Sequence, residues 1–257
     1  MLIFSYTIIV LIATTIGAIT GLGGGVIIKP LFDLIGGSTA ATIGFYSSIS
    51  VFTMCVVSIY KQIRRGFSFD LRVLLSTSFG SIIGGFLGET IFTFTTALFD
   101  NTQVKSIQSI LLLVTLLFIL FYTFNKSKFR HYQLKGIFSF SLVGIFLGTI
   151  SVFLGIGGGP LNVAFMLLLF SYSMKQAAIY SIATIFFSQV SKLLMVVVKG
   201  QFMEFDLDVV PFLIVAAILG GYLGSCINHR LNDQKVEMAY KMLIILLVFV
   251  TILNIFN

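Results

Sequence analysis

The chain has 257 residues, of which 58% are hydrophobic and only 10% are charged. So few polar residues cannot cover a water-soluble globule of this size, which excludes a soluble enzyme or nucleic-acid-binding domain. The formal net charge of +7 is typical of membrane proteins with basic cytoplasmic loops, so it is no evidence for nucleic acid. We therefore predict an integral membrane protein.

Eight apolar segments follow one another along the chain, each near the roughly 20 residues that cross a hydrocarbon core. Their polarity does not alternate as it does in barrel strands, so we predict an all-α membrane protein. The segments lie near 2–19, 40–60, 70–88, 104–124, 136–153, 174–198, 207–226 and 238–256. Two shorter apolar pieces, 26–35 and 160–170, follow glycine-rich runs and are predicted to be broken or re-entrant helices.

A glycine-rich run occurs twice, because residues 21–25 return as residues 155–159, an offset of 134 positions. The same offset pairs the Tyr-Ser sequence at 46–47 with that at 180–181. Two matches at one offset are hard to ascribe to chance, even in an apolar chain. We interpret them as an internal duplication.

The duplication predicts two homologous halves, 1–125 and 136–257, joined by a basic linker at 126–135. If the short pieces do not cross the membrane, each half crosses four times and the repeats are parallel. If the pieces complete a crossing, each half crosses five times and the repeats are inverted. The second arrangement gathers more of the Lys and Arg residues on one face, so it is favoured.

Three consecutive glycines in each run predict a break in the helix, since each glycine costs about 1 kcal/mol relative to alanine. A break within the membrane exposes N–H groups and a positive helix end, which suits an anion. A dinucleotide fingerprint is rejected because no strand precedes either run. The glycines predicted to contact substrate are Gly21, Gly23, Gly24, Gly25, Gly155, Gly157, Gly158 and Gly159.

Polar side chains near the runs are further candidates. Lys29 follows the first run, and Asp33 lies one turn later on the same face. An ionisable residue within the membrane is a functional candidate, although an internal ion pair or snorkelling would also explain it. The second half offers Asn162 instead, which predicts an asymmetric site. Neutral donors that could bind an oxyanion or join helices are Tyr46, Ser47, Ser48, Tyr180, Ser181, Thr184 and Gln189.

The remaining ionisable residues and the cysteines give little further evidence of function. Lys192 is a further candidate within the membrane, unless it lies near enough to the helix end to snorkel. Glu89, Asp206 and Asp208 are expected at the membrane interface, His131 and His229 in solvated loops, and Cys55 and Cys226 in the core. No metal spacing, nucleophile with a base or ATP-binding motif is found, so we predict no enzyme, no metal and no cofactor.

The run at 21–31, its second copy at 155–161 and the two four-helix halves resemble the TauE/SafE sulfite exporter family. The resemblance extends over essentially the whole chain. It implies a multi-pass plasma-membrane permease for small sulfur-containing anions such as sulfite, sulfonates, sulfoacetate or thiosulfate. Ala164 stands at the position equivalent to Pro30, so the two copies need not have equivalent roles.

The leading hypothesis is therefore a secondary permease whose halves alternate access around an anion site. An anion-conducting channel, a permease for an unrelated small metabolite and a structural partner of another membrane protein remain alternatives. The expected partners are a small anionic substrate and the lipid bilayer, without nucleic acid. The sequence leaves open whether protons or sodium drive transport and whether the chain forms a homodimer.

Overall fold

The computed structural model describes residues 2–125, 134 and 136–256, and every regular element within these ranges is helical. Two short 3-10 turns, Gln201–Glu204 and Leu207–Val209, connect the eighth α-helix to the ninth. The α-helices are α1 (Leu2–Thr20), α2 (Gly25–Ile35), α3 (Ala40–Arg64), α4 (Leu71–Leu98), α5 (Asn101–Phe124), α6 (Ile137–Phe153), α7 (Gly159–Phe170), α8 (Met174–Val198), α9 (Val210–Arg230) and α10 (Asp233–Phe256).

Seven of the described helices are long and apolar enough to cross a membrane. All eight predicted long segments are helical, although α6 is shorter than the others with 17 residues. The helices α2 and α7, with 11 and 12 residues, are the two predicted short helices. The all-helical membrane class is confirmed, whereas the number of crossings stays a prediction. The predicted linker, with His131, lies almost entirely outside the described residues, so the division into halves also stays a prediction.

Polar caps begin several of the long helices. The Thr39 side chain accepts a hydrogen bond from the Thr42 N–H at the start of α3, and Asp70 caps α4. Ser173 and Gln176 form a capping box at the start of α8. Such caps satisfy N–H groups that lack an acceptor within the helix. No side-chain cap is present at the start of α2 or α7, which begin at the glycine runs.

Small residues bring helices of the two halves together, because α1 packs along α9 and α6 packs along α4. A Cβ added at Gly224 of α9 would overlap the Thr15 carbonyl of α1. A Cβ added at Gly88 of α4 would likewise overlap the carbonyl of Thr149, which lies 134 positions after Thr15. Close backbone approach of this kind indicates that these glycines serve helix packing.

The central helices α3 and α8 run antiparallel to each other. Near the start of α3, Gly44 lies against Lys192, which is close to the end of α8. Further along α3, Phe52 stacks on Phe186 with 5.3 Å between the ring centroids. Residue numbers thus rise along one helix as they fall along the other. Since α8 is the predicted equivalent of α3, this arrangement favours inverted over parallel repeats.

Two carbonyls at the ends of α1 and α6 receive hydrogen bonds from side-chain amides. The Asn228 Nδ2 atom of α9 donates to the Ile19 oxygen at 2.6 Å. The Gln108 Nε2 atom of α5 donates to the Phe153 oxygen, also at 2.6 Å. Hydrocarbon offers no donor to a freed carbonyl, so these bonds let each helix end before its glycine run.

We expect Asn228→Leu to lower the free energy of unfolding by about 1–3 kcal/mol, because it leaves the Ile19 carbonyl without its donor. Thermal unfolding of the purified protein in detergent would measure the change. Asn125→Leu is the matched control, since its amide donates to a carbonyl at an exposed position. Equal shifts in the two variants would contradict a special role for Asn228.

Candidate functional site

Both glycine runs break the helical chain, as predicted. The run at 21–24 separates α1 from α2, and that at 155–158 separates α6 from α7. The last glycine before each short helix, Gly24 or Gly158, has a left-handed backbone with φ of 78° or 68°. Residues with a Cβ rarely adopt this conformation, so glycine is needed at both positions.

The two runs contact each other directly. A Cβ added at Gly25 would overlap the Ile156 carbonyl, and a Cβ added at Gly159 would overlap the Leu22 carbonyl. The second contact repeats the first at an offset of 134 positions in both partners. The N-termini of α2 and α7 therefore meet inside the protein, where their helix dipoles add positive potential.

Apolar side chains of α3 and α8 line the centre of this crossing. A Cβ added at Gly23 would approach Ile185 and Val51, and a Cβ added at Gly157 would approach the same two side chains. Val51 and Ile185 are themselves 134 positions apart and fully buried. The crossing is thus sealed by hydrophobic contact, and polar groups lie to either side of it.

Lys29 is buried beside the second glycine run. Its Nζ atom lies 3.1 Å from Oδ2 of Asp33, and Lys105 of α5 lies 3.2 Å from Oδ1 of the same carboxylate. A Cβ added at Gly155 would lie 3.6 Å from Cδ of Lys29 and 3.7 Å from Cα of Gly44. The internal ion pair expected as one explanation of Lys29 is present. Direct contact with substrate stays a prediction.

Lys192 is buried as well and does not reach the solvent. Its Nζ atom donates to the Gly44 carbonyl at 3.2 Å and lies 5.7 Å from the centre of the Phe92 ring. The side chain is 3% exposed, so the structure excludes snorkelling in this conformation. Gly44 thus lies between the stem of Lys29 and the ammonium group of Lys192.

Glu89 differs from the sequence-based expectation. We expected it at the membrane interface, but the side chain is 4% exposed and buried between helices. Its Oε2 atom has no hydrogen-bond partner, and it lines a small cavity together with Lys192. The sequence gives no local sign of this environment, because the partner comes from another helix. Asp206 and Asp208 are exposed in the connection before α9, and their position at the membrane interface stays a prediction.

The neutral candidates fall into two groups. Ser181 donates to the Gly21 carbonyl at 2.7 Å, and Ser47 lies against Gly25 with its hydroxyl unpartnered. These two serines border the runs as predicted. Asn162 also has an unpartnered Oδ1 atom, while Gln189 is buried on α8. Ser48 and Thr184 donate to carbonyls of their own helices, so their hydroxyls already have hydrogen-bond partners.

The two tyrosines lie elsewhere. Tyr46 donates to the Asp206 carbonyl at 2.9 Å, and the Tyr180 hydroxyl accepts from the Asp70 N–H at 2.6 Å. Their hydroxyls reach the connections between helices and not the glycine runs, which corrects our expectation. Tyr172, in the connection before α8, stacks on Tyr180 at 4.8 Å, and burial raises the pKa of Tyr172.

Sequence reasoning missed Ser151 of α6. A Cβ added at Gly158 would lie 2.8 Å from its Oγ atom, which has no hydrogen-bond partner. Ser151 lies 134 positions after Gly17, whose backbone approaches Gly24 in the same way. Comparison of the halves at that offset could have identified it.

Two cavities lie at opposite ends of the α3–α8 pair. The first, the Glu89 cavity, has about 60 Å³ and is lined in part by Ala41, Phe45 and Val196. The second, the Arg65 cavity, has about 340 Å³ and is lined in part by Arg65 and His229. Its lining also includes the residues that lie 134 positions from those three, which are Lys175, Ile179 and Gln62. The glycine crossing lies between the two cavities.

A larger cavity of about 780 Å³ lies along α6 and α7. Its lining includes exposed residues such as Phe138 and Leu142 and is almost entirely apolar. Apolar helix surfaces of this kind face lipid in a membrane protein, so size alone does not make it a site for a small anion.

Comparison with known proteins agrees with the resemblance in the sequence. The "Probable membrane transporter protein YunE" of Bacillus subtilis is 27% identical over 260 residues, which cover 92% of each chain. No solved structure matches the chain. Residues 6–255 match the family described as "Sulfite exporter TauE/SafE". The relative and the family together support a membrane transporter, and the chain belongs to the TauE/SafE sulfite exporter family.

Proposed function

We propose that this protein is a secondary permease that moves small sulfur-containing anions across the plasma membrane by alternating access. The observation that supports it best is the pair of equivalent cavities at opposite ends of α3 and α8, with the glycine crossing between them. The Glu89 cavity is the smaller of the two, about 60 against 340 Å³, and a second state of the carrier would reverse this difference. Inverted repeats would exchange the two states.

Anionic substrates are supported by the charges near the crossing. Two helix N-termini converge there, and Lys29 and Lys192 are buried on either side of Gly44. The Arg65 cavity adds a further basic lining with Lys175 and Arg65. Positive groups on both sides of the crossing favour an anion along the whole path. The sulfur-containing class rests on the description of the family alone.

Measurement of anion flux in proteoliposomes that contain the purified protein would test this proposal. We expect sulfite transport that saturates with concentration and is accelerated by sulfite on the opposite side, as in counterflow. A channel would give flux without acceleration. The absence of flux with sulfite, thiosulfate and a sulfonate would refute the proposed substrate class.

Alternating access also predicts opposite labelling of the two cavities. Val196→Cys lies in the Glu89 cavity and Ile179→Cys in the Arg65 cavity. We expect one of these cysteines to become more reactive towards a water-soluble thiol reagent under the conditions in which the other becomes less reactive. Both native cysteines would first be replaced by alanine. Met203→Cys, 76% exposed between α8 and α9, is the control whose labelling should not respond to substrate. Parallel changes at Val196 and Ile179 would favour a channel.

A further inference from the structure

The Glu89 cavity holds opposite charges that are incompletely paired. The ammonium group of Lys192 has three donors, of which one reaches the Gly44 carbonyl. The Oε2 atom of Glu89 has no hydrogen-bond partner, although its side chain is 4% exposed. Buried polar atoms normally find partners, so this cavity has room for both a ligand acceptor and a ligand donor.

Other charged groups lie near the cavity. On α2, Asp33 lies between Lys29 and Lys105, so this set keeps one positive charge in excess. At the mouth, Glu204 lines the cavity, and Lys199 donates to Thr93 of its wall. Lys192 therefore shares the cavity with the buried carboxyl group of Glu89.

We propose that Glu89 takes up a proton when a monovalent oxyanion binds beside Lys192, so that the anion and the proton occupy the protein together. The inference rests on the proposed anion permease and adds the coupling ion and its residue. In the proposed cycle Glu89 is an ionised carboxylate before binding, and it lines the cavity together with Lys192. An arriving anion would add a second buried negative charge to a cavity whose described lining has Lys192 as its one cation, which is costly in this environment.

Protonation removes that excess charge. A hydronium ion at the cavity mouth gives its proton to Oε2 of Glu89, so one O–H bond of hydronium breaks, one O–H bond forms on the carboxyl group and neutral water remains. No bond of the anion breaks. The new hydroxyl donates to an anion oxygen, while Lys192 donates to the same anion with its free N–H groups. Loss of the proton to the other side restores the Glu89–Lys192 pair and expels the anion. Anion and proton therefore strengthen each other's binding.

The positions that are equivalent to Glu89 and Lys192 in the opposite halves cannot do the same. Ser58 lies 134 positions before Lys192, and Ser225 lies 136 positions after Glu89, the spacing that relates the glycines of α4 and α9. Serine does not exchange protons near neutral pH. Among the described residues, the equivalent positions hold no second pair of this kind, and a single carboxylate takes up at most one proton.

Proton uptake during anion binding tests this coupling. The probe is methanesulfonate, a monovalent sulfonate that does not titrate near neutral pH, added to the purified protein in weakly buffered solution. We expect wild-type protein to take up about one proton per bound anion. Glu89→Gln, which mimics the protonated acid, should bind the anion without uptake, whereas Glu89→Asp should retain uptake.

The outcomes separate the two proposals. Binding without proton uptake in wild-type protein, or undiminished uptake in Glu89→Gln, would overturn the role of Glu89 and leave the permease standing. No binding of methanesulfonate to folded wild-type protein would overturn the sulfonate permease and this inference with it. Glu237→Gln, at a partly exposed ion pair of α10, is the control and should match wild type. Thermal unfolding would verify that each variant is folded.

Discussion

Gly159→Ala is expected to lower sulfite transport by about tenfold or more, since overpacking costs about 1–3 kcal/mol. The added methyl group would overlap the Leu22 carbonyl at the crossing of the two glycine runs. Gly25→Ala should have a similar effect through the Ile156 carbonyl. Flux in proteoliposomes, corrected for the amount of folded protein, would measure both.

Larger residues at Gly24 and Gly158 should also abolish transport, because both positions have left-handed backbone. The matched control is Gly37→Ala, where φ is 79° but no atom lies within 4 Å of an added Cβ. Gly37→Ala places a Cβ on left-handed backbone but adds no overlap with a neighbouring atom. Normal flux in the Gly159 and Gly24 variants would show that the runs are not part of the pathway.

Lys29→Ala is the second substitution with a large expected effect. It leaves the buried Asp33 carboxylate with Lys105 as its remaining ion-pair partner. Breaking a buried pair costs about 3–5 kcal/mol, and we expect the lower end because Lys105 stays. Anion affinity should fall by about tenfold, since one buried cation near the crossing is lost. Thermal unfolding and anion binding to the same sample would measure the two effects.

A double variant separates these effects. Lys29→Ala with Asp33→Asn removes both charges and should regain most of the stability while affinity stays low. Lys241→Ala is the control, because Lys241 and Glu237 form an ion pair of the same spacing at 2.9 Å that is partly exposed. Such a pair contributes about 0–1 kcal/mol. Wild-type affinity in the double variant would limit Lys29 to a structural role.

The helices and the glycine breaks could be predicted because both are local properties. Runs of apolar residues define the segments, and three adjacent glycines destabilise any helix that contains them. The contact between the runs was less accessible, although the common offset pointed to equivalent environments. Ser181 and Ser47 lie where the depth of α8 and α3 suggested.

The Glu89–Lys192 pair could not be predicted, because α4 and α8 bring together residues that share no sequence motif and have no counterpart in the other half. Burial depends on which helices pack around a side chain and not on its position along its own helix. The tyrosines show the same limit. Tyr46 and Tyr180 lie on the predicted helices, but the connections at Asp206 and Asp70 determine where their hydroxyls point.

The exchange of partners between halves has a consequence for biosynthesis. The face of α1 that includes Thr15 packs on α9, so it lacks its partner until α9, which comes much later in the chain, has been made. The newly made α1 must therefore wait in the bilayer with its threonines exposed to lipid or to chaperones. A larger residue at Gly224 would therefore hinder the packing of α1, the first helix to be made, against the late helix α9.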